Sequence, residues 1–196
     1  MKKLLFLLLF VIAVCENSEA EDIKGKIIYR NDTVDVIFNI PTISITGKIK
    51  YTKLQNKVKY YDLAGKKVKL FPEDVVEIRF SYLNEDIRML SVRDTHDFSD
   101  NFSKSKNIFL KLIIDGELKL FEYHFSDSSG EMTYVTTSYI LKRNKGELWW
   151  PEQWAFRKDM VNYFSDCPEL TRKIQEKEFE ISDFVEIVKF YYANCK

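Results

Sequence analysis

The 196 residues include 30 basic and 30 acidic side chains, so the formal net charge is zero. A neutral chain has no overall field that would attract nucleic acid or an anionic membrane, which argues against both as partners. With 45% hydrophobic residues, a chain of this length can bury one core, and we predict a single globular unit over residues 21–196.

The N-terminus is typical of an export signal. Two lysines precede an unbroken apolar run over residues 4–14, which is too short to span a bilayer, and Ser18 and Ala20 form a small-x-small cleavage pattern. We therefore predict a signal peptide over residues 1–20, cleaved after Ala20. The mature protein would then be periplasmic, held in the cell envelope or secreted.

A second interpretation of the N-terminus keeps Cys15 as the lipid-carrying first residue of a lipoprotein. Val14 argues against it, because such cleavage normally follows Gly, Ala or Ser. A mass measurement would separate the two interpretations. No later apolar run is long enough to cross a membrane.

From about residue 23 to 148, apolar and polar residues alternate with a period near two, which predicts an antiparallel sheet. Pro41 is expected to end the second strand, and residues 47–51 to begin the next. The clearest turns are at residues 62–65 and at Asp115-Gly116, where glycine suits a hairpin.

The last segment, residues 150–195, predicts three short helices. Helical spacing places Cys167 in line with Ile174, and Cys195 in line with Val188, so both cysteines face inward. Two inward cysteines on neighbouring helices suit a disulfide, which the predicted exported compartment favours. The alternative is two separate buried thiols.

These patterns together predict an α+β fold. The β-rich part, residues 23–148, would form an antiparallel twisted sheet or an open barrel-like domain. A three-helix C-terminal cap with one disulfide would cover it.

Several runs of the sequence resemble a family of exported, uncharacterised proteins of Bacteroidota-type bacteria, over nearly the whole mature chain. The family has no established activity. The resemblance implies export and the placement of Cys167 and Cys195, and it implies no catalytic residue. The runs that carry it are residues 57–62, 65–67, 87–89, 109–121, 156–160, 163–170 and 191–195.

Lysines dominate the charge between Gly47 and Leu70, where Asp62 is the only acidic residue. Because they alternate with apolar residues, most are expected on one outer face, which would hold an anionic glycan, a lipid headgroup or an acidic partner. Alternatively, the lysines keep exposed strands from pairing with other chains. The candidate anionic-ligand face is Lys48, Lys50, Lys57, Lys59, Lys67 and Lys69.

Three tryptophans, Trp149, Trp150 and Trp154, lie where the predicted sheet meets the helices. Flat aromatic rings suit the apolar faces of sugars, so one interpretation is an aromatic platform for a glycan. The other is a hydrophobic plug between the sheet and the cap.

Metal and catalytic chemistry have weak support. His96 and His124 are the only histidines and do not stand at ligand spacing, so we predict no metal, no cofactor and no catalytic residue. Glu122 shares a strand face with His124, where a raised carboxylate pKa would be a mark of function. The alternative is that this is simply the more hydrated face of the strand. A polar loop, expected to be solvated rather than to bind calcium, contains Asp94, Asp97 and Asp100.

Three functions remain as hypotheses. The first is a non-enzymatic exported binding module with a glycan, anionic ligand or protein partner. The second is a hydrolase of cell-surface polymers that uses an unidentified carboxylate pair, since two acids need no fixed spacing in sequence. The third is a structural component of an envelope assembly.

Overall fold

The computed structural model describes residues 18–93, 107–129, 132–144, 146–151 and 153–195. Outside the described residues lie most of the predicted signal peptide, Cys15, and the segment with His96 and the three loop aspartates Asp94, Asp97 and Asp100. The described chain is an α+β fold with nine strands and four α-helices. The strands are β1 Ser18–Ile28, β2 Thr33–Ile43, β3 Val58–Tyr61, β4 Lys67–Leu70, β5 Glu77–Tyr82, β6 Glu85–Arg93, β7 Asn107–Ile114, β8 Leu118–Ser129 and β9 Met132–Arg143. The helices are α1 Tyr51–Leu54, α2 Phe156–Tyr163, α3 Pro168–Gln175 and α4 Phe184–Asn194, with 3-10 turns at Pro72–Asp74, Gln153–Ala155 and Ile181–Asp183.

The strands form one open antiparallel sheet in the order β4-β3-β2-β1-β5-β6-β7-β8-β9. Two meanders, β1–β4 and β5–β9, join where β1 pairs with β5. The predicted antiparallel sheet is confirmed, and its two edges are β4 and β9.

The two faces of the sheet carry different sets of side chains. The inner face carries Ile27, Phe38, Ile78 and Met89, and these residues pack with Leu54 of α1 in one apolar cluster. Further along the same face, residues of β7, β8 and β9 pack against α2, α3 and α4, which we call the cap. The outer face carries the residues between these positions in each strand, because side chains alternate along a strand.

Gly25 lets the ring of Phe38 pack directly on the backbone of β1. A Cβ atom at this position would lie 2.4 Å from the backbone oxygen of Arg79 and 2.7 Å from the ring of Phe38. The Phe38 ring therefore covers β1 at the point where another residue would place a side chain.

The prediction that Pro41 ends the second strand is wrong, because β2 continues to Ile43. The carbonyl of Pro41 accepts a hydrogen bond from the backbone nitrogen of Lys50 at 2.9 Å, on the side away from β1. Its nitrogen points to the same side, so the missing N–H removes no bond to β1. The extra length of β2 pairs with residues 18–20, which precede the predicted cleavage point.

The strand predicted over residues 47–51 is also wrong. Ile49 forms a single bridge with Thr42, and α1 follows. Gln55, directly after α1, fills a gap between β7 and β8: its carbonyl accepts from Phe109 N at 2.9 Å. Its side-chain amide pairs with the backbone of His124 at 2.7 and 2.8 Å. These distant partners outweigh the local alternation.

The cap matches its prediction of three helices closed by a disulfide. Phe156, Met160 and Phe164 are buried against the sheet. Cys167, before α3, is bonded to Cys195, after α4, with the two Cα atoms 5.5 Å apart. Within the described residues, no helix combines the length and the apolar character needed to cross a bilayer.

Candidate functional site

An open cleft of 1520 Å³ lies over β1, β2, β3, β5 and β6. We call it the outer cleft, because the register places the charged strand residues of its lining on the outer face. Its lining mixes cationic, acidic and apolar side chains. The charged strand residues are Asp22, Lys24, Lys26, Asp35, Arg79, Asp86 and Arg88.

One row of side chains crosses four strands of the cleft. Lys26 lies directly opposite Asp35 in β2 and Arg79 in β5, and Arg79 lies opposite Arg88 in β6. Lys26 and Asp35 form an exposed ion pair at 3.1 Å. The two arginines lie side by side despite their like charges, so a carboxylate must hold them.

That carboxylate is Glu77, which is only 5% exposed. Its Oε1 accepts hydrogen bonds of 2.6 Å from the Nε atoms of both Arg79 and Arg88. Burial alone would raise the pKa of Glu77, but the hydrogen bonds and charges of the two arginines lower it. Glu77 is therefore ionised at neutral pH and fixes two guanidinium groups beside the cleft.

A second row is less polar. Ile37, 42% exposed, lies between Tyr61 of β3 and Lys24 of β1. Lys24 has no ion-pair partner among the described residues. This row offers apolar surface next to a free ammonium group.

The β3–β4 end of the same face is cationic. Lys59 and Lys69 lie directly opposite each other. Lys67 lies over the Tyr61 ring, 5.2 Å from its centroid, and donates to Asn39 Oδ1 at 3.0 Å. An ammonium group held in this way is positioned before any ligand arrives.

The predicted lysine face is thus divided. Lys59, Lys67 and Lys69 share the outer face with the cleft, whereas the other three flank α1. Lys48 lies in the turn after β2, Lys50 directly before α1 and Lys57 between α1 and β3.

The three tryptophans do not share one set of contacts. Trp149 stacks on Tyr163 of the cap with ring centroids 4.3 Å apart, as the plug interpretation expects. The ring of Trp150 instead contacts Tyr123 and Phe125, which lie on the outer face of β8. Trp154 is 87% exposed.

A polar cluster interrupts the inner face between its two apolar regions. Lys111 of β7 lies 2.7 Å from Glu85 and 3.3 Å from Glu122. His124 stacks on Tyr51 of α1, with centroids 4.6 Å apart. Its Nδ1 lies 3.1 Å from Thr137 Oγ1, and its Nε2 lies 3.5 Å from Glu122 Oε2.

The protonation states of this cluster do not suit acid–base catalysis. Burial alone would raise the pKa of Glu122, but His124 and Lys111 lower it. Burial lowers the pKa of Lys111, and its carboxylate neighbours more than reverse that effect. Burial raises the pKa of Tyr51 to about 12. The raised carboxylate pKa considered for Glu122 is therefore wrong. The cluster is a set of ion pairs that joins β6, β7 and β8, with Tyr51 of α1 stacked on His124.

Glu122→Gln is expected to lower the free energy of unfolding by about 1 to 2 kcal/mol at neutral pH. A carboxylate with a lowered pKa stabilises the fold above its unfolded pKa of about 4.3, and this contribution disappears as the pH falls through the folded pKa. Urea denaturation at neutral and acid pH should show a variant–parent difference that shrinks in acid. Glu147→Gln, at an exposed position, is the control. A difference that grows in acid would contradict the ion pair.

Among the described residues, no group of three or more His, Cys, Asp or Glu side chains is arranged to hold a metal ion. Comparisons with protein-family models, curated proteins and solved structures found no match to this chain.

The central cations of the cleft, which are not among the residues predicted from the sequence, are Lys24, Lys26, Arg79 and Arg88. Alternation already places each lysine on one face of β1 and each arginine on one face of its own strand. What brings them together is the pairing of β1 with β5, which are about 50 residues apart in sequence and have no local signal for each other.

Proposed function

We propose that the protein is an exported, non-enzymatic binding protein whose outer cleft takes an acidic glycan. The observation that carries the proposal is the combination, on one sheet face, of a mixed polar cleft and an adjoining cationic end. The cleft lies over five strands of one sheet, which suits a binding site better than a loop would.

The mixed charges of the cleft favour a hydroxyl-rich ligand. Sugar hydroxyls both donate and accept, so they can bond to carboxylates such as Asp22 and to cations such as Lys24 within one site. The exposed side chain of Ile37 offers apolar contact to the C–H face of a sugar ring.

The cationic end favours acidic groups on that glycan. On the outer face of β1–β6, cationic side chains outnumber carboxylates. Lys59 and Lys69, which lie directly opposite each other, have no ion-pair partner among the described residues. A uronic acid carboxylate would lower the repulsion between these two lysines. The cations are Lys24, Lys26, Lys59, Lys67, Lys69, Arg79 and Arg88, and the acids are Asp22, Asp35, Glu77 and Asp86.

The test is calorimetric titration with polygalacturonate fragments, with dextran as the uncharged probe. We expect polygalacturonate to bind at low salt, to bind more weakly as salt rises, and dextran to bind much less. Lys24→Gln and Lys69→Gln should each weaken binding roughly fivefold, the equivalent of about 1 kcal/mol. Lys189→Gln, on the exposed side of α4, is the matched control. Equal binding by all three variants, or no binding at low salt, would reject the proposal.

Export is part of the proposal. It is supported by the N-terminal pattern, by the resemblance to exported proteins and by the Cys167–Cys195 disulfide, which forms in oxidising compartments. Cleavage after Ala20 would remove residues 18–20 from β1 and leave the pairing from Glu21 onward. Mass spectrometry of the protein recovered from cells should give the mass of a chain that begins at Glu21. A lipid-modified Cys15 would instead support the anchored form.

The hydrolase alternative is less well supported. A glycoside hydrolase needs a carboxylic acid whose pKa is raised. The buried carboxylate Glu77 and the half-buried carboxylate Glu122 both have lowered pKa values, because cations lie beside them.

A further inference from the structure

The last strand, β9, is a long edge of the sheet. Leu141 exchanges two backbone hydrogen bonds of 2.8 Å with Trp149, on the side of β9 away from β8. Backbone groups alternate in direction along a strand, so Thr133, Val135, Thr137 and Tyr139 point their N–H and C=O groups to that same side. Among the described residues, no strand pairs with them.

The two edge strands of the sheet, β4 and β9, differ in length and in charge. β4 has only four residues, and Lys67 and Lys69 stand on it, which is a common protection against pairing with another chain. β9 has twelve residues. Its stretch over residues 132–141 contains no charged residue, no proline and no glycine, and it is rich in β-branched and aromatic residues. Such an edge is suited to accept another strand.

We infer that β9 pairs antiparallel with β9 of a second copy, so that the sheet continues from one molecule into the other. The inference is independent of the proposed glycan site, which lies over other strands. A twofold axis at Thr136 places Val135 opposite Thr137 of the second copy and Thr133 opposite Tyr139 of the second copy. All four outward-facing residues of each strand are then paired.

The stretch over residues 132–141 is complementary to itself, which favours a second copy as the partner. The axis at Thr136 gives about eight backbone hydrogen bonds and leaves no outward group between residues 133 and 139 unpaired. It brings an uncharged strand against an uncharged strand, so no like charges oppose each other. Val135, which is 60% exposed, gains a β-branched neighbour in Thr137 of the second copy.

Disulfide trapping tests the register. Thr136 would lie opposite Thr136 of the second copy in a pair without hydrogen bonds, with Cα atoms about 4.5 Å apart, which suits a disulfide. Ser138 shares the outer face and is also half-buried, but the two Ser138 residues would be about 13 Å apart. Under mild oxidation, Thr136→Cys should give a covalent dimer, whereas Ser138→Cys and the unmutated protein should not.

Sedimentation velocity supplies a second measurement without cysteine. The unmutated protein should shift from monomer to dimer as its concentration rises. Val135→Lys places a lysine on β9, as β4 already has, at a position that is 60% exposed. This variant should remain monomeric. A monomer at every concentration with no trapping of Thr136→Cys would overturn the inference. Preferential trapping of Ser138→Cys, or a dimer that Val135→Lys leaves intact, would also overturn it.

Discussion

Replacing Cys167 and Cys195 by alanine is expected to lower the free energy of unfolding by about 3 to 4 kcal/mol. The bond closes a loop between residues 28 apart in sequence and so restricts the unfolded chain. It also fastens the start of α3 to the end of α4. Cys167 is buried, and Cys195 packs against the same apolar cluster, so the bond lies within the cap rather than on its surface.

Urea denaturation of parent and double variant, with and without reductant, measures this effect. Reductant should destabilise the parent by about as much as the double substitution does, and it should leave the double variant unchanged. A double variant as stable as the oxidised parent would show that the cap does not depend on the bond.

Arg143→Ala is expected to cost about 2 to 3 kcal/mol, since Arg143 joins the end of β9 to the cap. Its two terminal nitrogens bind the carboxylate of Asp166 at 2.9 Å each, and one of them also donates to the carbonyl of Tyr163 at 3.1 Å. The guanidinium lies over three aromatic rings, with centroids 4.9 to 5.6 Å away. Tyr191 donates to the same carboxylate at 2.6 Å.

Arg143→Lys should recover less than half of this loss, because a single ammonium group cannot form the paired bonds or cover three rings. Lys142→Ala, next in sequence on the outer face, is the control and should change stability by less than about 0.5 kcal/mol. Urea denaturation of the three variants measures their free energies of unfolding and so tests this order of stability. Equal stability of the alanine variant and the parent would show that Arg143 does not stabilise the cap.

The hydrogen bonds of Arg143 and Tyr191, with the charge of Arg143, lower the pKa of Asp166. The contribution of Asp166 to stability is therefore present above its unfolded pKa and is lost as the pH falls through its folded pKa. The lowered pKa values of Glu77 and Glu122 act in the same direction, so acid should weaken the cap and both faces of the sheet together.

Local patterns in the sequence were enough to predict much of the fold. Alternation found the β3–β4 hairpin, where Gly65 has a positive φ of 74°. Helical spacing predicted the inward faces of Cys167 and Cys195, which the structure joins in a disulfide. These features depend on residues close in the chain, which is where periodicity carries information.

Features that depend on contacts between distant residues could not be predicted from local periodicity. The helical turn of α1 depends on Tyr51 and Gln55, which meet His124 about 70 residues later. The outer cleft depends on the register of β1 with β5, which brings Lys26 beside Arg79. A lysine-rich segment therefore suggested a binding face, but only half of its candidate lysines lie beside the cleft.

The most direct test of the outer cleft is a map of backbone amide shifts during titration with trigalacturonate. We expect the amide chemical shifts of β1, β2, β3 and β5 to change in proportion to the bound fraction, while those of α2, α3 and α4 stay constant. Shifts confined to the cap or to β9, or no shifts at all, would contradict this expectation.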